Sequence, residues 1–439
     1  MAEKPRRAVV APGVLPGPRI AGSSGSTKAA MVVAERSHAV RLTRAPEPTA
    51  GVLLDGSTPA DHLETRMSGA SSSMRALLDK SLDAKRLRAR EIGELFDAKG
   101  ADFEALQAVA DFWRRETVGD VVTYVVNRNI NFTNVCGVGC GFCAFSTAIA
   151  REDAYFLSPE QVADRAEECW ERGGTEVCIQ GGIHPKLEWT YYRDVLTSVK
   201  QRVPEIHCHT FSPMEVVWGA KKASMSVRSY LEMLKEAGLG SLPGTAAEIL
   251  VDEIRRELAP KKESVAEWVE VITTAHALGI PTTSTIMFGH VEKIEHRVEH
   301  LVLLRSIQDD TGGFTEFVPL PYVHEYTPMY IQGRSGPGPS HLDAIRMHSI
   351  ARVALRGSID NIQASWVKLG VSGVQECLQS GCNDFGGTLM EESISRLAGA
   401  DHGQELWVDQ IRSAIESVGR VPRQRSTTYG EPPQPPVTT

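Results

Sequence analysis

The chain has 439 residues, 42% hydrophobic and 23% charged, with a net charge of −8. That is the composition of a soluble globular protein. The acidic balance excludes bulk electrostatic binding of nucleic acid. With no apolar run approaching about 18 residues, nothing reads as a membrane span.

Residues 1–73 are dominated by Pro, Gly, Ser and Ala without an apolar period, and read as a disordered extension. The first 50 residues carry eight Lys or Arg against three Glu, a bias shared by organelle transit peptides. An extension without function, or a misplaced start, is the preferred reading, in which case the protein is cytoplasmic. Within 74–116 two helical stretches follow, Ser73 to Leu82 and about Arg88 to Arg115, with apolar spacing that suits packing on the outside of the next domain.

From Tyr124 onward, short β-rich runs alternate with amphipathic stretches of helical period, the pattern of βα units around a parallel sheet. Eight runs can be counted: Tyr124 to Phe132, Glu176 to Gln180, Ile206 to Phe211, Gly238 to Leu242, Thr282 to Phe288, Phe314 to Pro319, Ile362 to Val367 and Asn383 to Leu389. The count predicts an α/β fold, a (β/α)8 barrel of the TIM type over 117–390. An open or incomplete barrel remains an alternative, since the fourth and eighth runs are short. Ser158, Pro159 and Gln161 form a capping box with a first-turn proline, and Gly173-Gly174 stops that helix. A helical segment over 391–420 and a flexible tail over 421–439, rich in proline, complete the chain.

Cys136, Cys140 and Cys143 stand as C-x3-C-x2-C in the loop after the first run. Loops at the C-terminal ends of barrel strands build active sites. A zinc site would want a second pair of ligands further on, but Cys169, Cys178, Cys208, Cys377 and Cys382 are scattered and read as buried free thiols. A disulfide framework would be denser. Three thiolates suit a four-iron cluster with one iron left open, and Phe142 and Phe145 would shield it from water.

The other strand ends outline a pocket. After the second run comes Gln180-Gly181-Gly182 with His184, where the glycines admit a ligand to the main chain. After the third come His209, Ser212 and Glu215, although Ser212 reads equally as a helix cap. Thr245 to Glu248 reads as a capping box in preference to a ligand contact. Glu316 lies inside a β-rich run, and a buried carboxylate there needs a partner that a cationic or hydroxylated ligand would supply.

The cysteine run after the first strand resembles the radical S-adenosylmethionine (SAM) superfamily. The resemblance implies a 4Fe-4S cluster on Cys136, Cys140 and Cys143, whose open iron binds the amino and carboxyl groups of SAM. Gln180, Gly181 and Gly182 match the turn that receives the methionyl amine, but no acidic residue follows them. More closely, Val125 to Cys136, Ile179 to Pro185, Phe211 to Glu215, Gly240 to Leu250, Phe314 to Pro321 and Asn383 to Met390 resemble the deazaflavin (FO) synthase subunits that join tyrosine to a ribityl-diaminouracil. That family implies a 5′-deoxyadenosyl radical taking hydrogen from the amino group of L-tyrosine. Cleavage of the Cα–Cβ bond would then release a 4-hydroxybenzyl radical that adds to 5-amino-6-(D-ribitylamino)uracil, in the biosynthesis of coenzyme F-420. With no second three-cysteine motif in the chain, it also implies a separate radical SAM subunit to close the deazaflavin ring, and an external electron donor. His184, His209, Glu215 and Glu316 are the candidate substrate contacts by position. Futalosine-pathway radical SAM enzymes share the approach to the cluster, and a non-catalytic iron-sulfur carrier is the reading from another class.

Overall fold

The computed structural model describes residues 57–435. Most of the extension expected to be disordered, with the candidate transit peptide, falls on residues 1–56, outside the described residues. The part inside them corrects the boundary at 73. Thr58 caps a helix, Pro59–Gly69, by accepting from the Asp61 N–H at 3.1 Å. Leu63 and Met67 bury against the core, and the helix packs along Ala101–Val118. The stretch Arg88 to Arg115 is two helices, Ala89–Leu95 and Ala101–Val118, separated at Gly100.

Eight strands follow: β1 (Val121–Val125), β2 (Asn127–Asn131), β3 (Glu176–Gln180), β4 (His207–Thr210), β5 (Thr282–Phe288), β6 (Phe314–Pro321), β7 (Asp384–Gly387) and β8 (Val421–Gln424). They form three sheets, β7-β1-β8, β2-β3-β4 and β5-β6. Every strand pairing is parallel, as the alternation of strand and helix requires. Isolated parallel bridges, His209↔Ser241, Leu242↔Thr282, Phe317↔Ile362, Gln363↔Asp384 and Arg128↔Met390, carry the order from one sheet to the next. The expected run Gly238 to Leu242 contributes bridges only. Ile362 to Val367 contributes a bridge pair and then turns into the helix Trp366–Leu378.

The Ser158 capping box is present. Its hydroxyl accepts from Gln161 N–H at 3.3 Å, and the Gln161 side chain accepts from Ser158 N–H at 2.9 Å, starting Pro159–Glu171. Cys169 and Cys208 are buried thiols in the apolar core. Among the described residues no helix is long and apolar enough to cross a membrane.

The segment from 421, expected to be a flexible tail, is instead built into the sheet. β8 pairs with β1 from Val121↔Val421 to Tyr124↔Gln424. Arg425, next in the chain, enters the interior, where its Nε donates to Asp384 at 2.6 Å and its Nη2 donates to Glu316 at 3.2 Å. The Tyr429 hydroxyl donates to the same Glu316 oxygen, and its ring lies 4.2 Å from the Arg425 guanidinium. Composition missed this because proline and charge normally mark exposed chain, whereas here the charge has buried partners.

Candidate active site

The chain leaves β2 through Phe132 and enters a loop held by its own side chains. Thr133 donates to the Tyr155 carbonyl at 2.6 Å, and Asn134 both donates to the Asp153 carbonyl at 2.8 Å and accepts from Tyr155 N–H at 2.9 Å. Backbone bonds from Gly137 to the Ile183 carbonyl (2.9 Å) and from Gly141 to the Leu258 carbonyl (2.8 Å) tie it to neighbouring segments. Its three cysteines line one cavity with Phe142, Gln180, Gly181, Gly182, Glu215, Thr245 and Lys262. A larger groove beside the N-terminal helices is lined by Arg66, Glu104, Asp111 and Arg420, whose charges pair with one another. It holds no cysteine, so the smaller cavity is the candidate site.

Burial pushes the Cys140 thiol up to about 12 and raises that of Cys143. Such thiols become thiolates when a metal ion arrives to neutralise them. Donors are already in place: Ile183 N–H points to the Cys136 sulfur at 3.3 Å, and the Phe145 and Ser146 N–H groups bond Cys143. Lys262 is buried beside them, paired with Glu248 and lying 5.2 Å from the Phe142 ring. Burial works to lower its pKa, but the charges of Glu248 and Cys140 hold it up at about 12, so it stays cationic. Sequence reasoning missed Lys262, because one lysine in Pro260-Lys261-Lys262-Glu263 carries no periodic signal. It also misread Glu248: no helix starts at Thr245, and Glu248 takes φ +42° and faces Lys262.

The glycine turn packs directly on the cysteine loop. Gly182 N–H donates to the Thr133 carbonyl at 2.9 Å, and a Cβ at Gly182 would lie 2.3 Å from the Val135 carbonyl oxygen, so no larger residue fits. Gln180 donates to the Thr245 hydroxyl at 2.7 Å. A carboxylate reaches the same turn from the next strand end. Glu215 accepts from Gly181 N–H at 3.1 Å, from Ser212 N–H at 2.6 Å and from the Ser212 hydroxyl at 2.7 Å. Ser212 is therefore the cap of Pro213–Ala223 while also lining the cavity. Burial pushes Glu215 up to about 7 against those hydrogen bonds.

The four candidate substrate contacts separate. Glu215 lines the cavity. His184 sits on the turn outside it, with its ring 5.6 Å from Phe156 and its Nδ1 accepting from Lys186 N–H at 3.2 Å. His209 is buried among the strands, 2.7 Å from the Ser241 hydroxyl, and burial lowers its pKa. Glu316 has Arg425 and Tyr429 as partners in place of the expected ligand. Burial pushes it up to about 7, with Arg425 opposing and Asp384 adding to the rise.

Comparison with known proteins places these features. Residues 130–304 match the Radical SAM superfamily, and residues 311–437 match the CofH/MqnC C-terminal region. The chain is 48% identical over 355 residues to the 5-amino-6-(D-ribitylamino)uracil--L-tyrosine 4-hydroxyphenyl transferase of Methanothermobacter thermautotrophicus, covering 81% of this chain and 96% of that one. It is 54% identical over 336 residues to the FO synthase of Nocardia farcinica, covering 76% of this chain and 39% of the relative. The chain thus spans about two fifths of the length of the FO synthases it matches. Methylornithine synthase superposes with a TM-score of 0.62 at 18% identity, covering 79% of this chain and 97% of that one. The hydrogenase maturase HydG of Carboxydothermus hydrogenoformans gives 0.64 at 14% identity, covering 84% of each chain. At such identities the likeness shows the fold alone.

Proposed function

This chain belongs to the radical SAM family of tyrosine 4-hydroxyphenyl transferases, and we propose that it cleaves the side chain of L-tyrosine and joins the 4-hydroxybenzyl group to 5-amino-6-(D-ribitylamino)uracil. One observation carries the reading: Cys136, Cys140 and Cys143 open on the same cavity as Gln180-Gly181-Gly182, in a chain that matches such a transferase over nearly all of its length. The three thiols, half-buried in one cavity, with backbone N–H groups meeting Cys136 and Cys143, fit a 4Fe-4S cluster with one open iron. With SAM bound there, the cluster supplies one-electron cleavage of the sulfonium and a carbon-centred radical.

The protein's own groups orient that chemistry. Glu215 replaces the acidic residue missing after the glycines and receives the methionyl amine beside Gly181. Lys262 offers the opposite charge across the cavity and partly neutralises the thiolates. Phe142 and Phe145 keep water from the cluster. The parallel strands and their bridges support a (β/α)8 barrel with the cysteine loop at the C-terminal strand ends, where such folds place their sites. The FO synthases, which extend well beyond the matched region, support a ring-closing activity that works together with this one.

The test is anaerobic reconstitution with iron and sulfide, then incubation with SAM, reductant, L-tyrosine and the ribityl-diaminouracil. The expected products are 5′-deoxyadenosine and a 4-hydroxybenzyl adduct of the pyrimidine, read by mass spectrometry. 5′-Deoxyadenosine without a tyrosine-derived adduct would sink the substrate assignment and leave the radical SAM assignment standing.

A further inference from the structure

At the N-terminal ends of the strands, away from the cysteine loop, three soft ligands meet in the interior. His348 lies on the helix His341–Leu355, Cys377 in the last turn of Trp366–Leu378, and Cys382 two residues before β7. One ligand atom from each lies within 4.8 Å of the others, and all three side chains are fully buried. The His348 Nδ1 is 2.7 Å from the Ala344 carbonyl, so that nitrogen carries the proton and donates it. Nε2 is left with a lone pair, buried and without a hydrogen-bond partner. Burial lowers the ring's pKa to about 4, which keeps the imidazole neutral and able to ligate. Buried cysteines alone would pass as small apolar residues, but an unsatisfied imidazole nitrogen beside two thiols asks for a ligand.

We propose that His348, Cys377 and Cys382 bind a single thiophilic d10 cation, Zn(II) or Cu(I), as a structural clip. Two sulfurs and an imidazole with no carboxylate form a soft donor set that disfavours magnesium and calcium. Bonds of about 2.3 Å to sulfur and about 2.0 Å to nitrogen need the three ligand atoms to close by no more than about 1.3 Å. Binding forms two metal–sulfur bonds and one metal–nitrogen bond, and the two thiol protons leave to solvent. Arg352 flanks the site, donating from Nε to the Gly381 carbonyl at 2.7 Å and from Nη2 to Asn383 at 2.7 Å, and its charge interacts with Cys382. The clip would fasten both helices to the segment leading into Asp384, the partner of Arg425. It is separate from the cluster and does not depend on the proposed reaction.

The protein reconstituted anaerobically with iron and sulfide is equilibrated with Zn(II) or with Cu(I) and desalted. All metals are then counted by plasma mass spectrometry, and the Zn or Cu absorption edge is recorded. The expected result is one Zn or one Cu per chain beside the cluster iron, with sulfur and nitrogen neighbours. Which metal resists a competing chelator identifies the cation. Occupancy should fall at least tenfold in His348→Ala and Cys382→Ser with cluster iron unchanged, and the metal should raise the unfolding midpoint of the unaltered protein only. No metal beyond iron, equal occupancy in the variants, or recovery of Cys377 and Cys382 as a disulfide from anaerobically prepared protein would each overturn the proposal. Because the count and the absorption edge are read on the unaltered chain, a variant that fails to fold does not blunt the test.

Discussion

In the strand interior, buried charge is matched by buried charge: Arg425 reaches both Asp384 and Glu316, and Tyr429 takes a remaining carboxylate lone pair. At the C-terminal ends the same kinds of groups face a cavity. Glu215 accepts only from neutral donors, and Lys262 shares Glu248 with a space lined by thiols. The first arrangement contributes rigidity, since its groups already have partners. The second holds charge in reserve for something that enters. Burial alone therefore does not distinguish a site from a scaffold. The completeness of the partners does.

The sharpest break in this comparison is Cys140→Ala. Activity should fall to background and iron content should drop, while the urea unfolding midpoint of the iron-free protein stays near that of the unaltered iron-free chain. Retained turnover would contradict the cluster assignment. Next is Arg425→Met, which leaves Asp384 and Glu316 buried without their cation, at a cost of about 3–5 kcal/mol. Equilibrium unfolding should show it, with SAM affinity unchanged in the folded fraction.

Glu215 gives a pH test. Its folded pKa, raised by burial from 4.5 to about 7, means that folding is favoured while the group is protonated. That contribution is fully present below about pH 4.5 and is lost as pH rises through about 7, roughly 3 kcal/mol in all. Glu215→Gln should flatten that slope and weaken SAM binding, both measurable by titration. An unchanged slope would show that Glu215 does not titrate between the two pH values. Gly182→Ala should cost about 1–3 kcal/mol by overpacking against the Val135 carbonyl and should lower iron occupancy. Smallest is Ser158→Ala, which removes a cap on a helix distant from either charge set. It should cost about 1 kcal/mol with activity per folded molecule unchanged.

Much of this was legible in the residues. The cysteine spacing, the strands Glu176 to Gln180 and Thr282 to Phe288, and the Ser158 cap all rest on local chemistry, which a short segment carries with it. What failed to show had non-local causes. β8 has four residues, one of them proline, and exists because β1 offers it an edge. Glu248 looked like a cap because its partner, Lys262, lies fourteen residues away. His209 and Glu316 were assigned by strand position to a ligand pocket, yet the strand interior supplies Ser241, Arg425 and Tyr429.

The cysteine spacing, the α/β alternation and the family could be read from the residues alone, because thiol spacing, helix caps and hydrophobic period act within a few residues. Tertiary packing alone decided that Glu215 meets the Gly181 N–H, that Lys262 keeps its charge beside the thiols, and that Arg425 belongs to the core. Each of those outcomes depends on which distant group shares a buried volume, and burial is what makes a charge costly enough to need a partner.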